Sequence, residues 1–219
     1  MKNISNNKKN ILFIDPYIKN SNASSFNRLV NLFPNVKMSY YAPAWTNFEH
    51  YQIPVADGII ISGSASHVFE KLDWQINLAK EMKQRLENGV PVLGLCFGHQ
   101  LLGHTFGGEL DFVYPDTQDK MVGSRKMSWN GKSYVLGVTH RQKIVGLKDK
   151  AILLEKEINI LSHDILEHHE LPYLGTQGHP EASEEFLRFT CEVVDPLERK
   201  KIIKSSDDFL QDWNNHFFK

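Results

Sequence analysis

The sequence predicts an α/β fold in which an open, mostly parallel sheet is covered by helices on both faces, with a small antiparallel sheet added. Short, unbroken apolar runs in the first half of the chain are typical of strands that are buried on both faces. Stretches with the apolar spacing of helices lie between these runs, and such an alternation favours a parallel sheet. Beyond residue 107 the runs become shorter and two-sided, which favours antiparallel strands.

The first half of the chain supplies the parallel strands and the helices between them. A helix is predicted from Phe26 until Pro34, because helices usually end before a proline. A longer helix is predicted over residues 73–88, and Gly89 follows it as a C-terminal stop. The predicted strands of this half are residues 11–15, 36–41, 58–62 and 92–95.

The second half contains a hairpin signal, one more buried strand and two helices. Asn130 and Gly131 form the hairpin signal within residues 107–157, where we expect the antiparallel sheet. A strand is predicted at residues 173–177. We expect a helix over 183–194 that is halted by Asp195 and Pro196. An amphipathic helix is expected over 209–217. Its Trp213 belongs to the core or, alternatively, to a docking face for a partner. We predict a flexible tail at residues 1–10 and a single domain at residues 11–219.

The composition excludes several classes of function. The 25 Lys and Arg residues balance the 26 Asp and Glu residues, so the formal net charge of −1 provides no electrostatic attraction to nucleic acid or to an anionic membrane. The chain has no apolar run of about 18 residues that could span a bilayer. Its polar N-terminal residues do not resemble a secretory signal, and two cysteines are too few for a disulfide scaffold. We therefore expect a cytoplasmic protein that binds neither nucleic acid nor a membrane.

The segment GLCFGHQ, residues 94–100, places a cysteine between a buried strand and a predicted helix start. Glycines two residues before and after Cys96 match the nucleophile elbow, in which small neighbours allow strand and helix to approach closely. A helix N-terminus favours a thiolate over a thiol, and the amide of Phe97 would point at an oxyanion. The pattern predicts that Cys96 is a nucleophile. A buried structural cysteine is the alternative interpretation.

The segment GTQGHPE, residues 175–181, contains a candidate base and a carboxylate that could orient it. Pro180 favours an extended conformation at His179, in which His179 and Glu181 project to the same side. A carboxylate there can hold one imidazole nitrogen and leave the other free for Cys96. An ordinary surface turn is the alternative interpretation of this segment.

These two segments, about 80 residues apart, together resemble the nucleophile and His/Glu motifs of the class I glutamine amidotransferases, in particular their GMP-synthase-like glutaminase domains. The resemblance extends from the strand at residue 11 to about residue 183. It implies a flavodoxin-like open α/β sheet, with Cys96 as nucleophile, His179 as base and Glu181 as the residue that orients the base.

The resemblance also implies residues that contact the substrate. The segment Ser-Gly-Ser-Ala-Ser at residues 62–66 resembles the family's oxyanion loop Ser-Gly-Gly-Pro-Ser, in which Gly63 supplies an amide donor. Gln100 matches a family residue that helps to seat glutamine, and His140, with the threonine before it, resembles a substrate-contacting turn. Serine and alanine replace Gly-Pro in the loop, and Gly178 stands where many members have a bulky aromatic residue.

The implied activity is hydrolysis of the glutamine side-chain amide through a cysteine thioester, which gives glutamate and ammonia for a separate acceptor enzyme. A synthetase subunit that accepts the ammonia is the candidate partner. One alternative is a stand-alone γ-glutamyl peptidase with the same triad, and another is a catalytically silent regulatory subunit. An α/β-hydrolase is disfavoured because its acid precedes its histidine in the chain, whereas Glu181 follows His179.

We expect neither a cofactor nor a metal. Three histidines and three carboxylates cluster within residues 163–170, but their spacing matches no zinc pattern. We predict a solvated acidic loop there.

Overall fold

The computed structural model describes residues 8–46, 53–147, 153–155 and 164–218, with the backbone alone at 147 and 153–155. The helices of these residues are α1 (Ala23–Leu32), α2 (Asp73–Glu87), α3 (Phe97–Thr105), α4 (Glu184–Phe189) and α5 (Pro196–Phe217). The strands are β1 (Asn10–Ile14), β2 (Lys37–Tyr41), β3 (Gly58–Ile61), β4 (Val92–Leu95), β5 (Gly108–Phe112), β6 (Met121–Trp129), β7 (Lys132–His140), β8 (Gln142–Leu147), β9 (Leu153–Glu155), β10 (Ile165–His168) and β11 (Tyr173–Thr176).

The largest sheet within the described residues has seven strands in the order β2-β1-β3-β4-β11-β10-β9. The five strands from β2 to β11 are parallel to one another, and β10, near the edge of the sheet, is antiparallel to both of its neighbours, β11 and β9. This confirms the predicted α/β class with its mostly parallel sheet. Because the carboxyl ends of parallel strands meet at one edge, the turns after β1, β3, β4 and β11 lie together.

Helices cover both faces of this sheet. Alternate residues of a strand point to opposite faces. Accordingly, Leu12 and Ile14 belong to the core cluster that includes α2 and α3, whereas Ile11 and Phe13 belong to the cluster that includes α1 and α5. All four of these β1 side chains are buried, which explains why the run contains no polar residue.

The antiparallel part expected after residue 107 consists of two small sheets in the described residues. Strands β6 and β7 form a hairpin, and β5 pairs with β8. Asn130 (φ 50°) and Gly131 (φ 75°) both have the left-handed backbone that a tight hairpin turn requires. The predicted hairpin is confirmed.

The last two helices differ from the sequence prediction. The helix expected over 183–194 ends at Phe189, because Glu192 has a left-handed backbone with φ 59° and cannot continue it. Pro196 begins the next helix rather than halting the previous one: it occupies the first turn of α5, and the Asp195 side chain accepts a hydrogen bond from the Leu197 N–H. The helix expected over 209–217 is therefore only the last part of a 22-residue helix.

Two other expectations change. Residues 1–7 of the predicted tail lie outside the described residues, but Asn10 already pairs with Lys37 at the start of β1. The acidic loop predicted at 163–170 is wrong in its described part, because residues 165–168 form β10 and both Asp164 and His168 are buried. No helix in the described ranges is long and apolar enough to cross a membrane.

Candidate active site

Cys96 lies at the junction of β4 and α3, at the carboxyl edge of the sheet. Its backbone has φ 48° and ψ −98°, a conformation that residues other than glycine rarely adopt and that is typical of functional sites. Two hydrogen bonds hold it: its N–H donates to Thr176 O at 2.9 Å, and its carbonyl accepts from Gln100 N at 2.9 Å. The side chain is 5% exposed, and Sγ lies 3.6 Å from Thr139 O.

The glycines on either side of Cys96 are required by close packing. A Cβ at Gly98 would lie 2.6 Å from Ile61 O, and a Cβ at Gly94 would lie 2.8 Å from the backbone of Gly98. Neither distance is possible for a real side chain, so strand and helix approach as the elbow pattern predicts.

His179 and Glu181 follow β11 directly and form a buried pair. Nδ1 of His179 lies 2.9 Å from Oε1 of Glu181, and the two side chains are 2% and 0% exposed. A carboxylate can only accept, so Nδ1 donates and Nε2 is left for another partner. Burial acts to lower the pKa of His179, but the negative charges of Glu181 and of a Cys96 thiolate outweigh it and hold this pKa well above its usual range.

Gly63, in the turn after β3, lies against both Cys96 and His179. A Cβ there would be 2.7 Å from His179 Cε1 and 3.6 Å from Cys96 Cβ, so a side chain has no room. As the first residue of α3, Phe97 has an N–H that its helix leaves without an acceptor. The structure therefore brings Gly63 and Phe97 to the elbow, where the sequence predicts an oxyanion hole.

The two departures from the family motifs have structural reasons. Ser64 Oγ donates to Pro16 O at 2.7 Å and accepts from Ser66 N at 3.0 Å, so this serine ties the loop after β3 to the turn after β1. A Cβ at Gly178 would lie 2.7 Å from Leu136 Cβ. Strand β7 thus occupies the space that an aromatic side chain at residue 178 would need.

A cavity of about 140 Å³ opens at Cys96. This volume is well below the 300–1,000 Å³ typical of pockets for drug-sized ligands, and it suits a compact substrate. Both predicted substrate-contacting residues, Gln100 and His140, line it. The full lining is Tyr17, Ser64, Ala65, Ser66, His67, Cys96, Gln100, Lys120, Thr139, His140, Arg141, Gln142, His179 and Thr190.

One backbone carbonyl holds two polar side chains of the cavity lining. Gln142 O accepts from Gln100 Nε2 at 2.7 Å and from His140 Nδ1 at 2.8 Å. Because a carbonyl only accepts, Nδ1 of His140 carries the proton. Burial lowers the pKa of His140 to about 4, so this imidazole is neutral at physiological pH.

Tyr17 and Gln142 line the cavity but were not identified from the sequence. Tyr17 lies in the turn after β1, where Asp15 accepts hydrogen bonds from the N–H groups of Tyr17 (3.1 Å) and Asn22 (2.6 Å). The sequence signal for Tyr17 is weak: it is only the position of this residue after a predicted parallel strand, at the end of the strand where ligands usually bind. Burial, with the nearby negative charges of Glu181 and Cys96, raises the pKa of Tyr17 far above its usual range, so the phenol stays protonated.

The assembled groups are suited to acyl transfer. A thiol beside an imidazole that a carboxylate orients can ionise and attack a carbonyl carbon, and amide donors can hold the resulting oxyanion. The described residues contain no group of three His, Cys, Asp or Glu side chains that could hold a metal ion.

Known proteins resemble this chain in sequence and in fold. A subunit of the glutamine-hydrolysing GMP synthase from Methanopyrus kandleri is 28% identical over 142 residues, covering 62% of this chain and 69% of that protein. Gamma-glutamyl peptidase 5 from Arabidopsis thaliana is 29% identical over 161 residues, covering 68% of this chain and 61%, less than two thirds, of the peptidase. The crystal structure of a glutamine amidotransferase from Thermotoga maritima has the same fold, with a TM-score of 0.71 at 13% identity and coverage of 95% and 97% of the two chains.

The model of one protein family, described as glutamine amidotransferase class-I, matches residues 13–186. This match contains both the Cys96 elbow and the His179–Glu181 segment, and it extends from β1 into α4. The protein belongs to the class-I glutamine amidotransferase family.

Proposed function

We propose that this protein hydrolyses the side-chain amide of glutamine, with Cys96 as nucleophile, and supplies the ammonia to a separate acceptor enzyme. The 2.9 Å contact between His179 Nδ1 and Glu181 Oε1, beside Cys96 at the cavity, supports this function most directly. Family membership supports an enzyme of this general class.

In the first half-reaction, the Cys96 thiolate attacks the amide carbon of glutamine. The carbonyl oxygen becomes an oxyanion that the N–H groups of Gly63 and Phe97 stabilise. Protonated His179 then donates its Nε2 proton to the amide nitrogen, the carbon–nitrogen bond breaks, and ammonia leaves. A γ-glutamyl thioester on Cys96 remains, together with a neutral His179.

In the second half-reaction, neutral His179 takes a proton from water as the water oxygen attacks the thioester carbon. The tetrahedral intermediate expels the Cys96 thiolate and releases glutamate, and protonated His179 is restored. Glu181 keeps the ring oriented throughout and offsets the positive charge that it carries. Gln100, His140 and Tyr17 hold the glutamyl group in the cavity.

Replacement of the nucleophile tests the proposal. Cys96→Ala should abolish ammonia release from glutamine and leave the circular dichroism spectrum unchanged. Cys191→Ala is the matched control, because Cys191 is buried and burial raises the pKa of its thiol to about 12, so it stays un-ionised. Undiminished ammonia release from the Cys96 variant would refute the mechanism.

The acceptor of the ammonia is proposed to be a synthetase subunit. The relative from M. kandleri is named as one subunit of GMP synthase, which supports a two-component arrangement. Glutamine hydrolysis should be measured for the purified protein with and without the proteins that co-purify with it from its native cell. A large activation by those proteins supports the amidotransferase, whereas equal rates count against a synthetase partner.

The expected cytoplasmic location of the protein stays a prediction.

A γ-glutamyl peptidase is the second candidate function, and a groove beside the site favours it. Lys120 and Arg141 line both the cavity at Cys96 and an open groove of about 600 Å³ next to it, which Glu192 also lines. The leaving group of a γ-glutamyl conjugate is larger than ammonia and would extend out of the glutamyl site. The groove offers room for it, and Lys120 and Arg141 offer cations for its carboxylate, although two carboxylates, Asp119 and Glu192, line the groove as well.

Substrate comparison separates the two functions. The values of kcat/KM should be measured for glutamine, for γ-glutamylglycine and for a γ-glutamyl alkylamide that lacks the carboxylate. Preference for glutamine supports the amidotransferase, and preference for γ-glutamylglycine supports the peptidase. If no substrate reacts, with or without co-purified proteins, both proposed activities fail and the result supports the silent regulatory subunit.

A further inference from the structure

Arg28 connects three parts of the fold next to the proposed active site. It lies in α1, and its Nη1 donates to Pro180 O at 2.7 Å. Its Nη2 forms an ion pair with Asp207 of α5. The Arg28 side chain is only 14% exposed and Pro180 is buried, whereas the Asp207 side chain is 35% exposed, so the contact with Pro180 is better shielded from water than the ion pair. Pro180 is the residue between His179 and Glu181, and Arg28 therefore holds the segment that carries both.

The hydrogen bond to Pro180 acts on the position of Glu181. The Pro180 carbonyl and the Glu181 N–H belong to one planar peptide unit, so a donor that fixes the direction of the carbonyl also fixes where the Glu181 side chain begins. Glu181 is fully buried and must place Oε1 at His179 Nδ1. A small rotation of this peptide would move the carboxylate away from the imidazole.

Asp207 holds the guanidinium in place for this contact. An arginine fork donates from separate nitrogens in fixed directions, and an ion pair on one nitrogen orients the other. The guanidinium also attracts the carboxylate of Glu181 electrostatically. Arg28 is not among the described residues that line the cavity, so it acts on the site through the chain segment that it holds and through its attraction to Glu181.

We propose that Arg28, anchored by Asp207, is a positioning residue that keeps His179 and Glu181 in the paired geometry required for catalysis. This inference rests on the proposed function, because the proposed function is what assigns catalysis to His179 and Glu181.

Four variants test this role. Arg28→Met removes both contacts, and Arg28→Lys keeps the charge but loses the fork. Asp207→Asn keeps the guanidinium and loses its ionic anchor. Asp208→Asn is the matched control, because Asp208 is the next residue of α5 and its ion pair with Lys204 lies on the exposed helix surface.

We expect Arg28→Met to lower kcat for glutamine by about 100-fold and to change KM by less than about threefold, because a displaced catalytic pair slows the chemical step without altering the cavity. Asp207→Asn should lower kcat by about 10-fold, Arg28→Lys should recover part of the loss, and Asp208→Asn should match the wild type. A kcat unchanged in Arg28→Met, or lowered equally in Asp208→Asn and Asp207→Asn, would overturn the proposal.

A second readout does not depend on the substrate. The titration of the His179 imidazole should be followed against pH by NMR, because the nearby Glu181 carboxylate helps to hold the pKa of His179 above its usual range. The midpoint of this titration should move to lower pH in Arg28→Met, less so in Arg28→Lys and Asp207→Asn, and not in Asp208→Asn. If the wild type does not hydrolyse glutamine, the proposed function fails, and an unmoved midpoint would still overturn the role of Arg28. If Arg28→Met does not fold, Asp207→Asn decides by both readouts.

Discussion

Gly63 lies so close to His179 that no side chain fits at its position. At the residue scale, this close contact is the reason that the loop after β3 needs a glycine at this position, and the backbone conformation is not. It also means that the smallest substitution must displace either the proposed amide donor or the imidazole.

We predict that Gly63→Ala lowers kcat for glutamine by about 100- to 1,000-fold, the usual effect of losing one oxyanion donor. Steady-state ammonia release would measure this effect. Gly146→Ala is the control, because a Cβ there meets only Glu109 Oε2 at an ordinary 3.8 Å. Full activity in the Gly63 variant would exclude the proposed oxyanion hole.

His140 should make the protein sensitive to acid. Its pKa falls from 6.5 to about 4 on folding, so the folded state disfavours the protonated ring. The stabilising contribution is complete above pH 6.5 and is lost as the pH falls from 6.5 towards 4, by about 3 kcal/mol in total. We predict that His140→Asn removes this part of the pH dependence. Free energies of unfolding, measured by urea denaturation between pH 7.5 and 4, should converge for the two proteins; curves that stay parallel would contradict the prediction.

The sequence predicts the residues of the site that belong to local motifs, but not those that folding brings in from elsewhere. Cys96 and His179 are identifiable because close packing requires the glycines that stand near them in the two motifs. Tyr17 reaches the cavity only through the turn that Asp15 organises, and a tyrosine after a strand carries no comparable signal. The catalytic roles themselves stay predictions.

At the scale of elements, the β6–β7 hairpin is attached to the large sheet by a buried ion pair. Arg125 of β6 lies 3.0 Å from Asp164, and the two side chains are 11% and 5% exposed. The carbonyl of Asp164 accepts from Gln177 N at 2.8 Å, two residues before His179. The pair therefore connects the hairpin to the strand end that carries the candidate base.

We predict that Arg125→Met lowers the free energy of unfolding by about 3–5 kcal/mol, because it leaves the Asp164 carboxylate buried without this cation. Lys132→Met is the control: it breaks an ion pair with Asp212 at a lysine that is 62% exposed and should cost less than about 1 kcal/mol. Urea denaturation of both variants would measure the difference. Equal losses would mean that burial of the Arg125 pair does not matter.

The parallel strands could be predicted almost to the residue, whereas the last two helices could not. Strands β3 and β4, which are buried on both faces, have no polar residue, and β1 has one only at its first position, so their apolar runs mark them directly. The α4–α5 junction depends on the left-handed backbone of Glu192 and on Asp195, which caps α5. The sequence pattern indicates one helix followed by a stop, and it reveals neither of these two features. Strand β10 was missed because its side chains include Glu167 and His168, which are polar although the strand lies inside the sheet.

At the scale of the whole molecule, α5 closes the core cluster to which α1 also contributes. Trp213 is fully buried and packs on the rings of Phe217 and Phe218 at 6.3 and 5.4 Å. The core position predicted for this tryptophan is confirmed, and the residue is not available as a docking face.

We predict that Trp213→Ala destabilises the protein by about 3–5 kcal/mol through the cavity that it leaves. Leu197→Ala on the same helix is the control, because Leu197 is 66% exposed and its loss should change stability by no more than about 0.5 kcal/mol. Thermal unfolding of both variants would measure the difference in stability. A small loss of stability in Trp213→Ala would show that α5 does not close this core.

The order of the strands has a consequence for synthesis. Strand β4, which leads into Cys96, receives its second neighbour only when β11 arrives, and that partner is translated some eighty residues later. Until then a nascent chain carries a sulfur with neither imidazole nor carboxylate beside it, and an apolar strand edge open to unwanted pairing. The ribosome must therefore deliver nearly the whole family domain before Cys96 can meet the proposed base, so premature termination yields a fragment that lacks the proposed glutaminase site.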